Sequence, residues 1–535
     1  MNTLAGTGKL VRLILRRDRL LMPVWILALA VIPISFVSSF NELFPTAAAR
    51  QEYADASADN GAFVALYGRV FGSDLGEMVA WRAGFMPIMV GLFSLLTVIR
   101  HTRTEEEAGR RELLGATVVG RHASLAAALV ATFGANVVLA VLLALIMMSQ
   151  GLPAAGSVAF GAELAAAGWV FAAVGGVTAQ LTEGAGAARG IAVSVLGAAY
   201  LLRIAGDLSG QAGGGLSWLS WLSPIGWVHR IYPYGGDRWW ILALVAGLTA
   251  ALAAAAVALS ARRDLGAGLL PARPGPAGAA PGLRTPLALA WRLHRGLLAA
   301  WIAGFAVLGV VLGGIAEGVG DLVGDNQNLQ DMFARMGGRS ALIDAYLAGI
   351  MGLLGLFAAG YAIQATLRLR TEESSLRAEP VLATAASRLR WAGSHLAFSI
   401  LGPAAALAVA GLAAGLVHGL NTGDIGRELP RVWGAAMVQL PAVWVLAATA
   451  VALFGLLPRL AAVSWGALAI CVLIGVVGAA VQLNQRLLDV SPFTHIPKVP
   501  GAAVSATPLA WLASVAVVLV AAGLAGFRRR DVPVS

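Results

Sequence analysis

Twelve long apolar runs divide this 535-residue chain, near 22–40, 80–99, 123–149, 157–180, 187–206, 239–261, 297–318, 343–366, 391–417, 432–456, 460–482 and 509–527. Most hold roughly 17–25 residues, enough for a helix to cross a hydrocarbon layer of about 30 Å. No other feature constrains the fold as tightly. In hydrocarbon every backbone N–H and C=O needs a partner within the protein, so a segment crosses as a helix or as a strand of a closed barrel. These runs are too long and too evenly apolar for alternating barrel strands. The expected class is therefore an all-α integral membrane protein with twelve transmembrane helices. A hydrophobic fraction of 58% and a mean hydropathy of +0.78 agree with that class and exclude a soluble globular chain.

Charge orients the spans. Of 38 Lys and Arg residues, 26 fall at the two termini and in the even-numbered gaps, and the other 12 share the odd-numbered gaps and the spans with 17 of the 28 acids. The positive-inside rule then places both termini in the cytoplasm. The net charge of +10 gathers on one side, where anionic lipid head groups meet it, and nucleic acid need not be invoked.

The chain is also a duplication. "RTEEEAGRRELLGATVVGR" at 103–121 aligns without a gap on "RTEESSLRAEPVLATAASR" at 370–388, an offset of 267. Arg103, Thr104, Glu105, Glu106, Arg110, Glu112, Ala116, Thr117 and Arg121 match Arg370, Thr371, Glu372, Glu373, Arg377, Glu379, Ala383, Thr384 and Arg388. Arg16, Arg19 and Trp25 at the entry to the first span echo Arg292, Arg295 and Trp301, and Ser223-Pro224 echoes Ser491-Pro492. Six spans per half is an even number, so both halves enter from one side as parallel repeats. The expected layout is a cytoplasmic entry helix at 1–21, a first half at 22–261, a cytoplasmic linker at 262–290 around the Pro/Gly-rich "ARPGPAGAAPGLRTP", a second half at 291–527 and a cytoplasmic tail at 528–535.

The first charged stretch reads as a short cytoplasmic helix. Thr104 with Glu107 has the spacing of a capping box, and Glu105 to Glu107 place negative charge at the positive end of the helix dipole. Glu106 with Arg110, and Glu107 with Arg111, have i,i+4 spacing. In the second copy only Glu373 has such a partner, Arg377, and Pro380 is expected to break the helix early. A loop that merely stays out of the bilayer is free to diverge between halves, so a matched pair suggests that both copies meet similar surfaces.

These motifs, the basic entry helices and the six-plus-six arrangement resemble ABC type-2 exporter permeases, in particular the twelve-span exporters of polyketide antibiotics, or tetronasin-type permeases, of bacteria. The resemblance covers the whole chain. It implies a bacterial plasma-membrane permease that extrudes hydrophobic or amphipathic compounds, with coupling helices near 102–117 and 370–384. Two nucleotide-binding subunits, a homodimer, would dock there, on Thr104, Glu105, Glu106, Glu107, Arg110 and Arg111 and on Arg370, Thr371, Glu372, Glu373 and Arg377. The second copy departs from the motif at Ser374, Leu376 and Pro380, which stand where the first has Glu107, Gly109 and Leu113. The resemblance further implies that this chain binds no cofactor, ATP and Mg²⁺ being held by the partner subunits.

A phosphate-cradling Gly-rich loop ending in Lys-Ser/Thr is missing from the sequence; "LAGTGKL" at 4–10 lacks the spacing and the hydroxyl after Lys9. The seven histidines are scattered without metal-ligand spacing, no nucleophile elbow occurs, and the single cysteine, Cys471, lies inside a span. The N-terminal region is read as an anchor in place of a cleaved signal, because the second half repeats its arrangement internally. Arg82, Glu163, Arg203, Glu317 and Asp344 are the ionisable residues in or near spans, and most are expected to snorkel or pair between helices. Glu163 is a candidate for the substrate pathway. So are Trp227 and Tyr232, in the aromatic segment 216–240, which also reads as an interfacial belt. Acidic outer segments at 41–79 and 319–342 are expected to form short helices. Close helix packing is expected at Gly309/Gly313, Gly314/Gly318 and Gly411/Gly415/Gly419. Two rival functions are a secondary transporter, which needs a mid-membrane proton or ion relay, and a membrane glycosyl or acyl transferase acting from the outer face.

Overall fold

The structure, a computed structural model, describes residues 3–111, 118–264, 266–270, 277–321, 338–477 and 484–531. Among them, eleven helices are long and apolar enough to cross a membrane, and twelve spans result when the pair Leu75–Arg82 and Met86–Glu107, bent by 47°, counts as one. The chain divides into two compact units, Met1–Gly275 and Pro276–Ser535, and each contains six of these spans. Among the described residues the single β-type contact is an isolated parallel bridge between Thr182 and Leu270.

In the first unit helix Ala154–Leu181 occupies the centre, with 83% of its apolar window buried. Its sequence explains this. Alanine and glycine fill most positions, so neighbouring backbones approach closely and dispersion contacts replace the hydrophobic drive that lipid does not supply. Asn136 and Ser94 bond to each other between helices Ala123–Ser149 and Met86–His101, against the backbone at Gly168. Glu163 is 4% exposed on the central helix.

The entry region differs between halves, which corrects the simple echo expected from sequence. In the first unit a separate amphipathic helix, Thr7–Arg17, buries Leu10 and Ile14 and breaks at Asp18 before helix Leu21–Leu43 begins. Asp18 is buried and pairs with His101 (2.6 Å) and Arg100 (3.1 Å). In the second unit Arg292 and Arg295 lie within one continuous 36-residue helix, Pro286–Asp321.

The other ionisable residues are paired inside the fold. Buried Arg203 donates to the carbonyls of Val64 (2.9 Å) and Leu66 (3.4 Å) at the C-terminus of helix Gly61–Tyr67 and lies 3.7 Å from Asp207. Arg82 sits over the Tyr67 ring, 4.5 Å from its centroid. Arg431 donates from Nη2 to both oxygens of Asp344 at 2.9 Å and from Nη1 to Glu428, tying helix Ile425–Met437 to helix Gly338–Ser374. The Glu317 side chain lies outside the described residues, as does most of 319–342. The short helices expected in 41–79 are present as Ala47–Asp59 and Gly61–Tyr67.

The glycine spacing marks real contacts. A Cβ on Gly309 or Gly313 would lie 2.5 Å from the carbonyl of Ala410 or Ala414, and one on Gly411, Gly415 or Gly419 would lie 2.8–2.9 Å from Ala436, Leu429 or Ile425. Helix Arg388–Thr422 thus meets helix Pro286–Asp321 on one side and helix Ile425–Met437 on the other. The surroundings of Gly318 lie outside the described residues. Gly415→Leu should cost about 1–3 kcal/mol by overpacking, seen as a lower thermal unfolding midpoint in detergent. Gly434→Leu, at a position where an added Cβ meets no atom within 4 Å, should leave the midpoint unchanged or raise it.

Candidate functional site

At the basic end of the first unit, the bent span finishes in a five-residue helix, Arg103–Glu107, and the chain turns at Gly109 with φ +70°. The expected Thr104–Glu107 capping box is not made. Thr102 holds the N-cap position without a side-chain cap bond, which puts Thr104 inside the helix, where its hydroxyl accepts from Arg189 at 2.8 Å. Glu107 serves a different helix. Its carboxylate accepts from the N–H of Ala185 (2.9 Å), the first residue of helix Ala185–Gln211, whose own N-cap is Gly184 and has no side chain to offer.

The expected i,i+4 pairs are also replaced. Because the helix stops at Glu107 and the chain reverses at Gly109, Arg110 and Arg111 reach back five residues, to Glu105 (2.8 Å) and Glu106 (3.2 Å). Glu105 is shared with Arg17 of the entry helix at 2.8 Å. Hydrogen bonding to Glu105 raises the pKa of both Arg17 and Arg110, whereas burial lowers that of Arg111.

Glu106 turns inward, with a side chain only 2% exposed. Arg263, just past helix Trp240–Ala261, donates to its two oxygens at 2.7 and 2.8 Å. Arg103 lies 3.0 Å away, Arg111 makes the bond noted above, and the N–H of Gly266 donates at 2.8 Å. Arg263 also donates to Gln180 (2.8 Å), and fully buried Arg103 to the carbonyls of Gly266 (3.2 Å) and Ala267 (3.0 Å). Arg121 donates to the carbonyls of Ala261 (2.9 Å) and Arg263 (3.1 Å), which end the sixth span. One buried carboxylate thus fastens the loop after the second span to the end of the sixth.

The second unit repeats this lock at equivalent positions. Glu373, the match of Glu106, receives a two-pronged bond from Arg530 at 2.5 and 2.6 Å, and Arg388, the match of Arg121, donates to the Arg530 carbonyl at 2.7 Å. The expected Glu373–Arg377 pair is therefore not formed, and Glu372 pairs instead with Arg368 at 2.7 Å. No free-standing helix covers 370–384 here. Residues 370–374 end the long helix Gly338–Ser374, and a separate short helix follows at Ala378–Leu382. Pro380 sits in the first turn of that helix, where its missing N–H is tolerated, so it does not cause the break. The break comes at Leu376, φ +58°, the positional match of Gly109. Gly109 N–H and Leu376 N–H each bond a carbonyl three residues back, Glu106 and Glu373, at 3.0 Å.

Sequence reasoning missed the arginines of the lock, although a signal existed. "RRD" at 262–264 recurs at 529–531, again 267 residues on. What remains exposed is the tip beyond each lock, Glu107 to Arg110 in the first unit and Ser374 to Arg377 in the second, with Thr371 also exposed and Arg370 half-buried. Residues 112–117, part of the expected first coupling helix, lie outside the described residues.

At the opposite end of the first unit, the aromatic segment forms a 3₁₀ turn at Ser217–Leu222 and a short helix at Pro224–His229. The Trp227 indole donates to the Trp221 carbonyl (2.6 Å), and the Tyr232 ring stacks on Phe71 beneath Arg238. Tyr234 packs against the backbones of Gly76 and Gly156 and shares a hydrogen bond with Ser157 (3.1 Å), and burial pushes its pKa up to about 12. Trp218, Trp221, Trp239 and Trp240 are exposed, as in an interfacial belt. Glu163 makes no bond to Trp227 or Tyr232 among the described residues.

The family described as "Multidrug efflux system permease Rv1217c, C-terminal domain" matches residues 8–259 and 283–528, one stretch in each unit. The chain is also similar to the "Multidrug efflux system permease protein Rv1217c" of Mycobacterium tuberculosis (strain ATCC 25618 / H37Rv), with 46% identity over 529 residues, which cover 98% of this chain and 95% of that relative.

The lock is testable without knowledge of a substrate. Removing one partner from a buried ion pair costs about 3–5 kcal/mol, so Glu106→Ala should lower the thermal unfolding midpoint sharply. Glu107→Ala removes only a cap, worth about 1 kcal/mol, and should lower it slightly. Leu376→Gly relieves a left-handed non-glycine residue, whose cost is about 1–2 kcal/mol, and should raise the midpoint.

Proposed function

This chain belongs to the Rv1217c family of multidrug efflux system permeases, and we propose that it is the membrane-spanning subunit of an ATP-driven exporter of hydrophobic or amphipathic compounds, polyketide antibiotics among them. Two separate nucleotide-binding subunits, holding ATP and Mg²⁺, dock at the basic ends of the two units, which face the cytoplasm of a bacterial cell. The observation that carries this reading is the paired tip. In each unit a left-handed bend at Gly109 or Leu376 presents an exposed arginine, Arg110 or Arg377, immediately beyond a carboxylate fastened to the end of the last span.

The lock supplies the mechanical link. A force applied at the first tip passes through Glu106 to Arg263 and so to helix Trp240–Ala261, and at the second through Glu373 to Arg530 and helix Ala506–Arg529. Charge-assisted, two-pronged bonds resist both stretching and rotation. Subunits drawn together by ATP would therefore move whole spans, and the exposed arginines would take up the charge match with the partner.

Purification from the native membrane should recover two ATPase subunits per chain and vanadate-sensitive hydrolysis that depends on them. Arg110→Glu together with Arg377→Glu should lower drug-stimulated hydrolysis by about tenfold or more while the unfolding midpoint falls only slightly, because Glu105 loses Arg110 but keeps Arg17. Full activity in that variant, or proton-driven transport by the isolated chain, would refute the reading. The secondary-transport alternative rests on Glu163, a buried carboxyl on the central helix. Under the ATP-driven reading Glu163→Gln keeps transport, whereas loss of a proton-gradient-dependent flux would favour the alternative. Orientation is tested in a Cys471→Ala background. A cysteine at position 279 should react only with a membrane-permeant maleimide, and one at position 150 also with an impermeant reagent.

A further inference from the structure

The entry helix Thr7–Arg17 and the start of helix Leu21–Leu43 do not close fully onto helix Ala123–Ser149. They leave a groove of about 450 Å³, within the range of about 300–1,000 Å³ typical of small-molecule sites. Val11 and Leu15 form one wall, Met22, Pro23 and Ile26 another, and Ala131, Gly134 and Ala135 the floor. The floor opens sideways onto helix positions that face hydrocarbon, since Val130 and Val138 are each about half exposed. Among the described residues two charged ones line the groove, Asp18 and Arg19. Asp18 is already engaged by His101 and Arg100. Arg19 is exposed and makes no ion pair among the described residues, and the same holds for Arg16 and Arg12 on the entry helix, three and seven residues before it.

We propose that this groove holds an anionic phospholipid, one acyl chain lying over Gly134 and the head-group phosphate meeting Arg19, with Arg12 and Arg16 alongside. The chemistry matches at both ends. An apolar slot open to the bilayer suits a hydrocarbon chain and offers a polar drug almost nothing to bond. The guanidinium of Arg19, which lines the groove and has no ion-pair partner among the described residues, suits a phosphate, to which arginine donates in a planar fork, and Arg12 and Arg16 add positive charge on the adjoining entry helix. The bound lipid completes the packing between the entry helix and the third span, which the protein leaves unfilled.

The test uses the full-length chain in mild detergent and native mass spectrometry, with phosphatidylglycerol and phosphatidylcholine titrated separately. The wild-type chain should bind phosphatidylglycerol about tenfold more tightly than phosphatidylcholine. Gly134→Leu adds a side chain to the floor at a position where its Cβ meets no atom within 4 Å, and should weaken phosphatidylglycerol binding by about tenfold. Gly247→Leu, an equally open glycine on another helix, should leave it unchanged. Arg19→Gln alters only the surface and should erase the preference between the two lipids. Equal binding of both lipids by the wild type, or equal effects of Gly134→Leu and Gly247→Leu, would overturn the proposal. So would ethidium binding that vanishes in Gly134→Leu while phosphatidylglycerol binding persists, since the groove would then be a drug site.

Discussion

A carboxylate withdrawn from water organises the basic end of the first unit. Removing Glu106 from solvent costs several kcal/mol, and the cost is offset only because a two-pronged arginine, two further arginines and a backbone N–H converge on it. Such a cluster contributes little net stability compared with well-packed apolar residues. Its value lies in geometry, because the bonds form in one arrangement only. The loop after the second span, the start of the linker and the end of the sixth span therefore hold a fixed relation within the unit.

That constraint recasts the duplication. A matched charged loop invites the thought of a shared external partner, and the tips keep that role in the proposed exporter. Much of the match nevertheless has an internal cause. Glu106 and Glu373 are retained because each faces an arginine 157 residues later, and Arg121 and Arg388 because each caps the last span of its own half. Backbone shape is retained where side chains are not. Leu376 holds the left-handed bend that Gly109 makes without strain, because Glu373 on one side and the following short helix on the other fix the chain there.

The halves also differ in stiffness. In the first unit the lock joins Glu105, Arg17 and the detached entry helix into one charged network, while Glu107 ties the tip to helix Ala185–Gln211. In the second, among the described residues, Glu373 meets Arg530 alone. A docking subunit would push on a braced lever in one half and on the simple end of a long helix in the other.

Much of this architecture was legible in the sequence. The twelve spans, the six-plus-six division and the glycine contacts at Gly309/Gly313 and Gly411/Gly415/Gly419 follow from local properties, because each run's hydropathy selects its solvent and each small residue permits close approach whatever else the chain does. The entry into the second unit and the 47° bend near Arg82 were not legible, since helix continuity there depends on what packs alongside. Nor could sequence say which of three adjacent glutamates turns inward. Glu105, Glu106 and Glu107 are chemically identical, and local rules offered a capping box and four-residue pairs. Tertiary structure decided otherwise: helix phase points Glu106 at a guanidinium supplied by a distant span, Glu107 at a neighbouring helix that lacks a cap, and Glu105 at the entry helix. Desolvation decides between these options, because a buried charge accepts only the arrangement that satisfies it completely, and the groups that satisfy it are far away in the chain.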